Sequence, residues 1–345
     1  MKKYPLRSSI FLLLFSFIIS LLLPQCAASF ATQPSTQTSP SSSIITPSDI
    51  NFPILYENEH LIAISKPPHI PHHDDPQSNQ LGIISLLRHQ QQQQSSFTYP
   101  HRLYGVHRLD RVTSGILLLA KSSDTANELV NKFKEREVNK YYMAISGKKP
   151  RKKKQGWVRG DMVLGRRGSY KLVNENKKED EEKEDDGGKK SNYAVTRFFT
   201  AGLGNVPLSP LLHPKEVDNE EEVSSTTPKT AILFQPHTGK THQLRVAAKS
   251  VGLPILGDAR YGGGRVRVAG DDTTTTEADY FDRTYLHAAA IQFEIDNEEV
   301  CIYSPPPFGH LFSTTSELDD VFVGMMKKHC ESDSILHHVD GRSML

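Results

Sequence analysis

His107-Arg108-Leu109-Asp110-Arg111-Val112-Thr113-Ser114-Gly115 runs into the apolar stretch Ile116-Leu117-Leu118-Leu119-Ala120 and closes on Lys121. A short apolar run behind a Gly reads as a strand buried on both faces. One carboxylate, Asp110, stands between two arginines just ahead of it. Arg108 and Arg111 should keep that carboxylate ionised by Coulomb attraction. An ionised aspartate held at the edge of a rigid element suits a nucleophile or a proton-abstracting base. An Arg-x-Asp-Arg segment also serves as a plain salt-bridge cluster at a strand entry, and this stretch alone leaves both readings open.

Three further blocks flank it in order. Tyr56-Glu57-Asn58-Glu59-His60-Leu61-Ile62-Ala63-Ile64-Ser65-Lys66-Pro67-Pro68 alternates like a strand over Tyr56–Ser65 before a Lys-Pro turn. Lys140-Tyr141-Tyr142-Met143-Ala144 is a Lys-x-Tyr-x-Ala segment. Pro236-His237-Thr238-Gly239-Lys240-Thr241-His242-Gln243-Leu244-Arg245 continues to Pro254-Ile255-Leu256-Gly257-Asp258-Ala259-Arg260-Tyr261-Gly262.

Together the four blocks resemble the RluA-type (RsuA/RluA-like) pseudouridine synthases, whose signature is His-Arg-Leu-Asp-x-x-Thr-Ser-Gly followed by aliphatic residues, Ala and Lys. The resemblance covers roughly residues 52–312, with departures at His69 (commonly Gly), Lys240 (commonly Arg) and Ala247 (commonly His). It implies an α+β catalytic domain with a mixed, mainly antiparallel central sheet, flanking helices and a central cleft. It leaves no room for an amino-terminal S4 RNA-binding domain. It also implies isomerisation of specific uridines in rRNA or tRNA: N1–C1′ breaks and C5 joins C1′. No electrons or groups leave, so neither cofactor nor metal is expected. By the same resemblance Asp110 is the catalytic carboxylate, Arg245 pairs with it, and Tyr142 stacks on uracil with its phenol a candidate base for the C5 proton. Arg108 fills the gap left by the flipped nucleotide. A silent RNA-binding or ribosome-assembly factor on the same fold is the competing reading; it would be free to lose Asp110, Tyr142 or Arg245, and this chain keeps all three.

Composition places the rest. Hydrophobic residues make up only 37% of the chain, so part of its 345 residues should not be core. Low-complexity insertions interrupt the family pattern at about 90–97, 174–190, 215–228 and 263–278, and they read as solvated loop expansions. Residues 174–190 carry net −3 and residues 215–222 net −4, which leaves +8 for everything else against a formal +1 overall. Lys148, Lys149, Arg151 and Lys152, with Lys153 and Lys154, concentrate that excess in one loop, the expected footprint for RNA phosphates. RNA is the expected partner, and a monomer the expected state.

Three cysteines without a Cys-x-x-Cys give neither a zinc site nor a disulfide framework. His107, His237, His242 and His287 lack metal-ligand spacing. Gly239-Lys240-Thr241 lacks the upstream glycine of a phosphate loop, since Phe234 stands there.

Residues 1–50 read as a presequence. Lys2, Lys3 and Arg7 precede an apolar stretch from Ile10 to Leu23, and small residues follow at Ala27, Ala28, Ser29 and Ala31. From Pro24 to Ser48 there is no acid. Ala28-Ser29-Phe30-Ala31 resembles the cleavage motif of bipartite presequences of complex plastids. The expectation is plastid import, with no stable membrane association once the presequence is removed; the secretory pathway, a mitochondrion or a signal anchor are the alternatives. Residues 313–345 read as a carboxy-terminal extension.

Two helices follow from pattern. Thr125-Ala126-Asn127-Glu128 is a capping box for a helix to about Glu137, with Leu129, Val130 and Phe133 inward. A second starts at Thr241 as N-cap and stops at Gly252, with Leu244, Ala247, Ala248 and Val251 inward. Ala231–Gln235 and Ile291–Ile295 read as strands.

Overall fold

The computed structural model describes residues 52–93, 102–151, 153–173, 192–203, 229–264, 267–268, 280–281, 283–306, 312, 316–330 and 335. The presequence, Lys152, most of the insertions and most of the carboxy-terminal extension lie outside the described residues.

In chain order the elements are β1 (Ile54–Glu57), β2 (Leu61–Lys66), α1 (Ile83–Gln93), β3 (Tyr104–Gly105), β4 (Ser114–Ala120), α2 (Ser123–Glu135), β5 (Asn139–Ser146) and β6 (Gln155–Leu164). Then come β7 (Tyr170–Val173), β8 (Tyr193–Gly202), β9 (Thr230–Pro236), α3 (Gln243–Ser250), β10 (Arg267–Val268), β11 (Tyr280–Phe281), β12 (Leu286–Ile295), β13 (Glu298–Tyr303) and α4 (Ser316–His329). The main sheet runs β1-β2-β4-β12-β5-β9-β8-β6-β7, with β13 on β12 and β3 on β4, while β10 and β11 form a separate ribbon. This is the mixed, mainly antiparallel sheet with flanking helices that the sequence implies.

One seam is parallel. β4 and β12 touch through His287↔Ser114 and Ala288↔Gly115 only. β4 is buried along its whole length, and its side chains serve two cores. Ile116, Leu118 and Ala120 pack with β12 and Leu129 of α2, while Leu117 and Leu119 pack with Ile83, Leu86 and Leu87 of α1. A third core joins β5 and β9 to Leu244, Ala247 and Ala248 of α3 and to Phe322 and Met326 of α4. Gly115 is needed at the seam: its φ is +110° and an added Cβ would lie 2.3 Å from the Ala288 carbonyl oxygen.

Several local expectations shift. The strand read over Tyr56–Ser65 is a hairpin, because the Asn58 carboxamide accepts from the amides of His60 and Leu61 and turns the chain. Ser122, three residues ahead of the expected cap, accepts from the Thr125 amide and starts α2. Val130 is 43% exposed and not inward. His242, in the left-handed region, precedes α3 in place of Thr241. Gln90–Gln93 form the last turn of α1 rather than loop, as glutamine is a good helix former. The strand at Ala231–Gln235 is one residue longer at each end, and the one at Ile291–Ile295 begins five residues earlier, at Leu286.

Candidate active site

The loop between β3 and β4 carries Asp110 to just ahead of β4, near the seam pair His287↔Ser114. It is held there from beneath. Lys66, at the end of β2 and fully buried, donates through Nζ to the carbonyls of Thr113 at 2.8 Å, Pro67 at 2.9 Å and Arg111 at 3.4 Å. Burial pulls its pKa down to about 7, with the Asp110 charge opposing that fall. Ser114 Oγ donates to His287 Nδ1 at 2.8 Å, because His287 Nε2 gives its proton to the Ser304 carbonyl at 3.1 Å; Arg283 donates to the same Ser114 oxygen. Burial holds His287 near pKa 3 and therefore neutral.

The arginines flanking Asp110 in sequence do not pair with it. Arg111 Nε turns to the His69 carbonyl at 3.1 Å, and Arg108 is exposed along the cavity wall. A tight loop sends successive side chains in different directions, so adjacency in sequence made no ion pair. The partner of Asp110 comes from α3: Arg245 Nη1 lies 3.5 Å from its Oδ2. Arg245 in turn is gripped by Asp258, which accepts from Nε at 2.7 Å and Nη2 at 2.8 Å. The guanidinium also sits 4.9 Å from the centre of the Tyr261 ring, within cation–π range. Burial works against the Arg245 charge, but Asp258 and then Asp110 outweigh it and raise its pKa. The Tyr261 hydroxyl is fixed by the Tyr170 amide at 3.0 Å and His242 Nδ1 at 2.8 Å.

Asp110, Arg245, Tyr142, Arg108 and Thr113 line one cavity of about 120 Å³, floored by Leu109, Leu244 and Leu286. Burial, and secondarily the charge on Asp110, raise the Tyr142 phenol above its usual range. It is a neutral proton donor at physiological pH, not a ready base.

A second cavity of about 510 Å³ shares the wall Arg108, Tyr142, Pro236, Thr238, Gly239 and Lys240. It opens where β5 leaves β9: their pairing begins at Tyr142↔Phe234, while Lys140 already pairs with Ile291 of β12. Its cations are Lys134 and Arg136 from the end of α2, with Arg108, Lys140 and Lys240; the Lys140 ammonium lies 5.3 Å from the Phe133 ring centre. Burial lowers Lys140 to a pKa of about 8. Phe133 packs on the ring of His107 at 4.8 Å, and His107 Nε2 accepts from the Leu118 amide at 2.9 Å. Burial keeps that imidazole neutral, near pKa 3.

The structure thus brings together Asp110, Tyr142, Arg245 and Arg108. Lys148, Lys149 and Arg151 follow the other end of β5 and line neither cavity. Asp258 and Lys66 were missed as functional residues. Asp258 lay in plain view inside the Gly257-Asp258-Ala259-Arg260-Tyr261-Gly262 block, as its one acid.

Comparison with known proteins gives the family. Residues 60–250 match the family described as RNA pseudouridylate synthase. An uncharacterized RNA pseudouridine synthase of Haemophilus influenzae is 32% identical over 79% of this chain and 96% of its own length. The tRNA pseudouridine synthase C of Pasteurella multocida is 35% identical over 61% of this chain and 74% of its own. Among solved structures, human RNA pseudouridylate synthase domain containing 1 superposes with a TM-score of 0.51 at 20% identity, over 84% of this chain and 98% of that one, a likeness of fold.

Proposed function

The chain belongs to the RNA pseudouridylate synthase family, isomerases that act on RNA, and from that premise we propose that it converts particular uridines of rRNA or tRNA to pseudouridine with Asp110 as the reacting carboxylate. One observation carries the assignment: Asp110, Arg245 and Tyr142, far apart in sequence, face a single cavity. The uridine is lifted out of its stack into the smaller cavity, and the neighbouring strand follows the larger basic one. Arg245, its fork fixed by Asp258, orients the Asp110 carboxylate. Tyr142 supports the uracil face. Loss of the Asp110 charge makes the Tyr142 proton easier to release, because that charge adds to burial in raising the phenol. N1–C1′ breaks, C5–C1′ forms, and the C5 proton is balanced by one gained at N1. Arg108, exposed at the rim, takes the place vacated by the base.

Mapping pseudouridine in organellar and cytosolic RNA with and without the gene tests this reading. Loss of particular sites, restored by the wild-type chain and not by an Asp110→Asn variant, is the expected result. Identical maps would leave the chain a silent RNA-binding factor. The amino-terminal pattern supports the further proposal of plastid import, which a fluorescent fusion to residues 1–50 tests; a signal confined to the secretory pathway would end it.

A further inference from the structure

Trp157 is the only tryptophan of the chain, and it is 46% exposed on β6. Arg159, two residues on and so on the same face, places its guanidinium 4.6 Å from the centre of the indole ring, while Val158 between them is buried. Arg197, directly opposite Trp157 on β8, lies 5.6 Å from it. The His237 ring is 5.1 Å away, and His237 lines the larger basic cavity beside Tyr142. Lys153 and Lys154, both exposed, lead into the strand. No ion pair to Arg159 occurs among the described residues.

A large aromatic surface left in water beside cations is poorly explained by folding, since an indole contributes most when buried. It is well suited to a ligand that offers both flat rings and negative charge. We propose that Trp157, with Arg159 and Arg197, is a stacking platform for unpaired nucleotides of the substrate RNA beyond the flipped uridine, reached from the active-site cleft over His237. The assignment rests on the reading of the chain as an RNA-acting enzyme, and adds where the flanking strand is held. Bases stack on an indole or on the guanidinium plane that covers it, whatever their sequence, while the arginines meet the phosphates. The platform therefore contributes affinity and leaves the choice of uridine to the cleft. It also gives the run from Lys148 to Lys154 a place in RNA binding as the approach to this face.

A single tryptophan makes the test direct, because the intrinsic tryptophan fluorescence of the full chain is that of Trp157. Oligouridylate RNA is titrated into the protein while binding is followed independently by anisotropy of an end-labelled copy. The expected result is quenching that saturates with the anisotropy, affinity about ten-fold weaker in Trp157→Ala and largely recovered in Trp157→Phe. Heparin, a polyanion without bases, should bind without comparable quenching. Unchanged fluorescence on RNA binding, equal quenching by heparin, equal affinity of the alanine variant, or no RNA binding would each overturn the platform. Failure of the enzymatic reading appears separately, as absence of pseudouridine changes in the RNA maps.

Discussion

Asp258 accepts from both Nε and Nη2 of Arg245, at 2.7 and 2.8 Å, whereas Asp110 meets only Nη1, at 3.5 Å. The guanidinium is therefore neutralised and aimed from behind, and the reacting carboxylate keeps most of its lone pairs for substrate. A two-point grip fixes a planar fork as a single contact cannot.

Replacing Asp110 by Asn removes the reacting charge with little change of shape. Pseudouridine formation should fall by at least about 10⁴-fold, with RNA affinity by anisotropy within a few-fold of wild type. A variant that still isomerises uridine at the original rate ends the assignment.

Asp258→Asn strips a buried arginine of its principal counter-charge. Removing one partner of a buried pair costs about 3–5 kcal/mol, to be read as a lowered denaturation midpoint. Because Arg245 is then free to swing, kcat should fall about 10²-fold with KM less affected. Asp258→Glu, which keeps the charge on a longer arm, should recover stability more than rate. Equal rates in all three proteins would remove Asp258 from any positioning role.

Tyr142 offers a test that needs no substrate. Its phenol is raised by burial and then by the Asp110 charge, so the Asp110→Asn protein should titrate it at lower pH than wild type. Ring-carbon NMR of labelled tyrosine measures this, and identical titrations would separate the two groups electrostatically.

Stability should weaken in acid. His107 and His287 have folded pKa values near 3, pulled down by burial from 6.5. Groups depressed in the folded state contribute stability that is complete above pH 6.5 and is lost as pH falls toward 3, at up to about 1.4 kcal/mol per pH unit for each. Lys66, lowered from 10.5 to about 7, behaves likewise in its own window: its contribution is complete above 10.5 and lost as pH falls to 7. Denaturant midpoints across pH 4–8 should decline below 6.5, and His287→Gln should flatten the decline. A flat profile in wild type would mean that these imidazoles are charged in the fold.

The blocks around Asp110, Tyr142 and Arg245 made fold and site legible because each keeps its chemistry within a few consecutive residues. What sequence could not give were the contacts that cross elements. Asp258 reaches Arg245 from the loop after α3, and Lys66 reaches two carbonyls nearly fifty residues ahead, at Arg111 and Thr113, neither with a spacing to betray it. The apparent meaning of Arg108 and Arg111 failed for the reverse reason: neighbours in sequence need not face one another in a turn. The run at Lys148 is the densest in the chain, while the larger cavity takes its cations from Lys134 and Arg136 at the end of α2 and from Arg108, Lys140 and Lys240.

The stems of the two long acidic insertions are closed by main-chain bonds: Asn192 accepts from the Met162 amide after one, and Leu203 donates to Lys229 across the other. Strand pairing therefore continues across each insertion, β6 with β8 across the first and β8 with β9 across the second. Such segments can lengthen, shorten or be exchanged over evolutionary time while the catalytic centre stays untouched. The scaffold thereby separates what is done to a nucleotide from how its exterior diversifies, and transplanting those segments between related enzymes should respect that division.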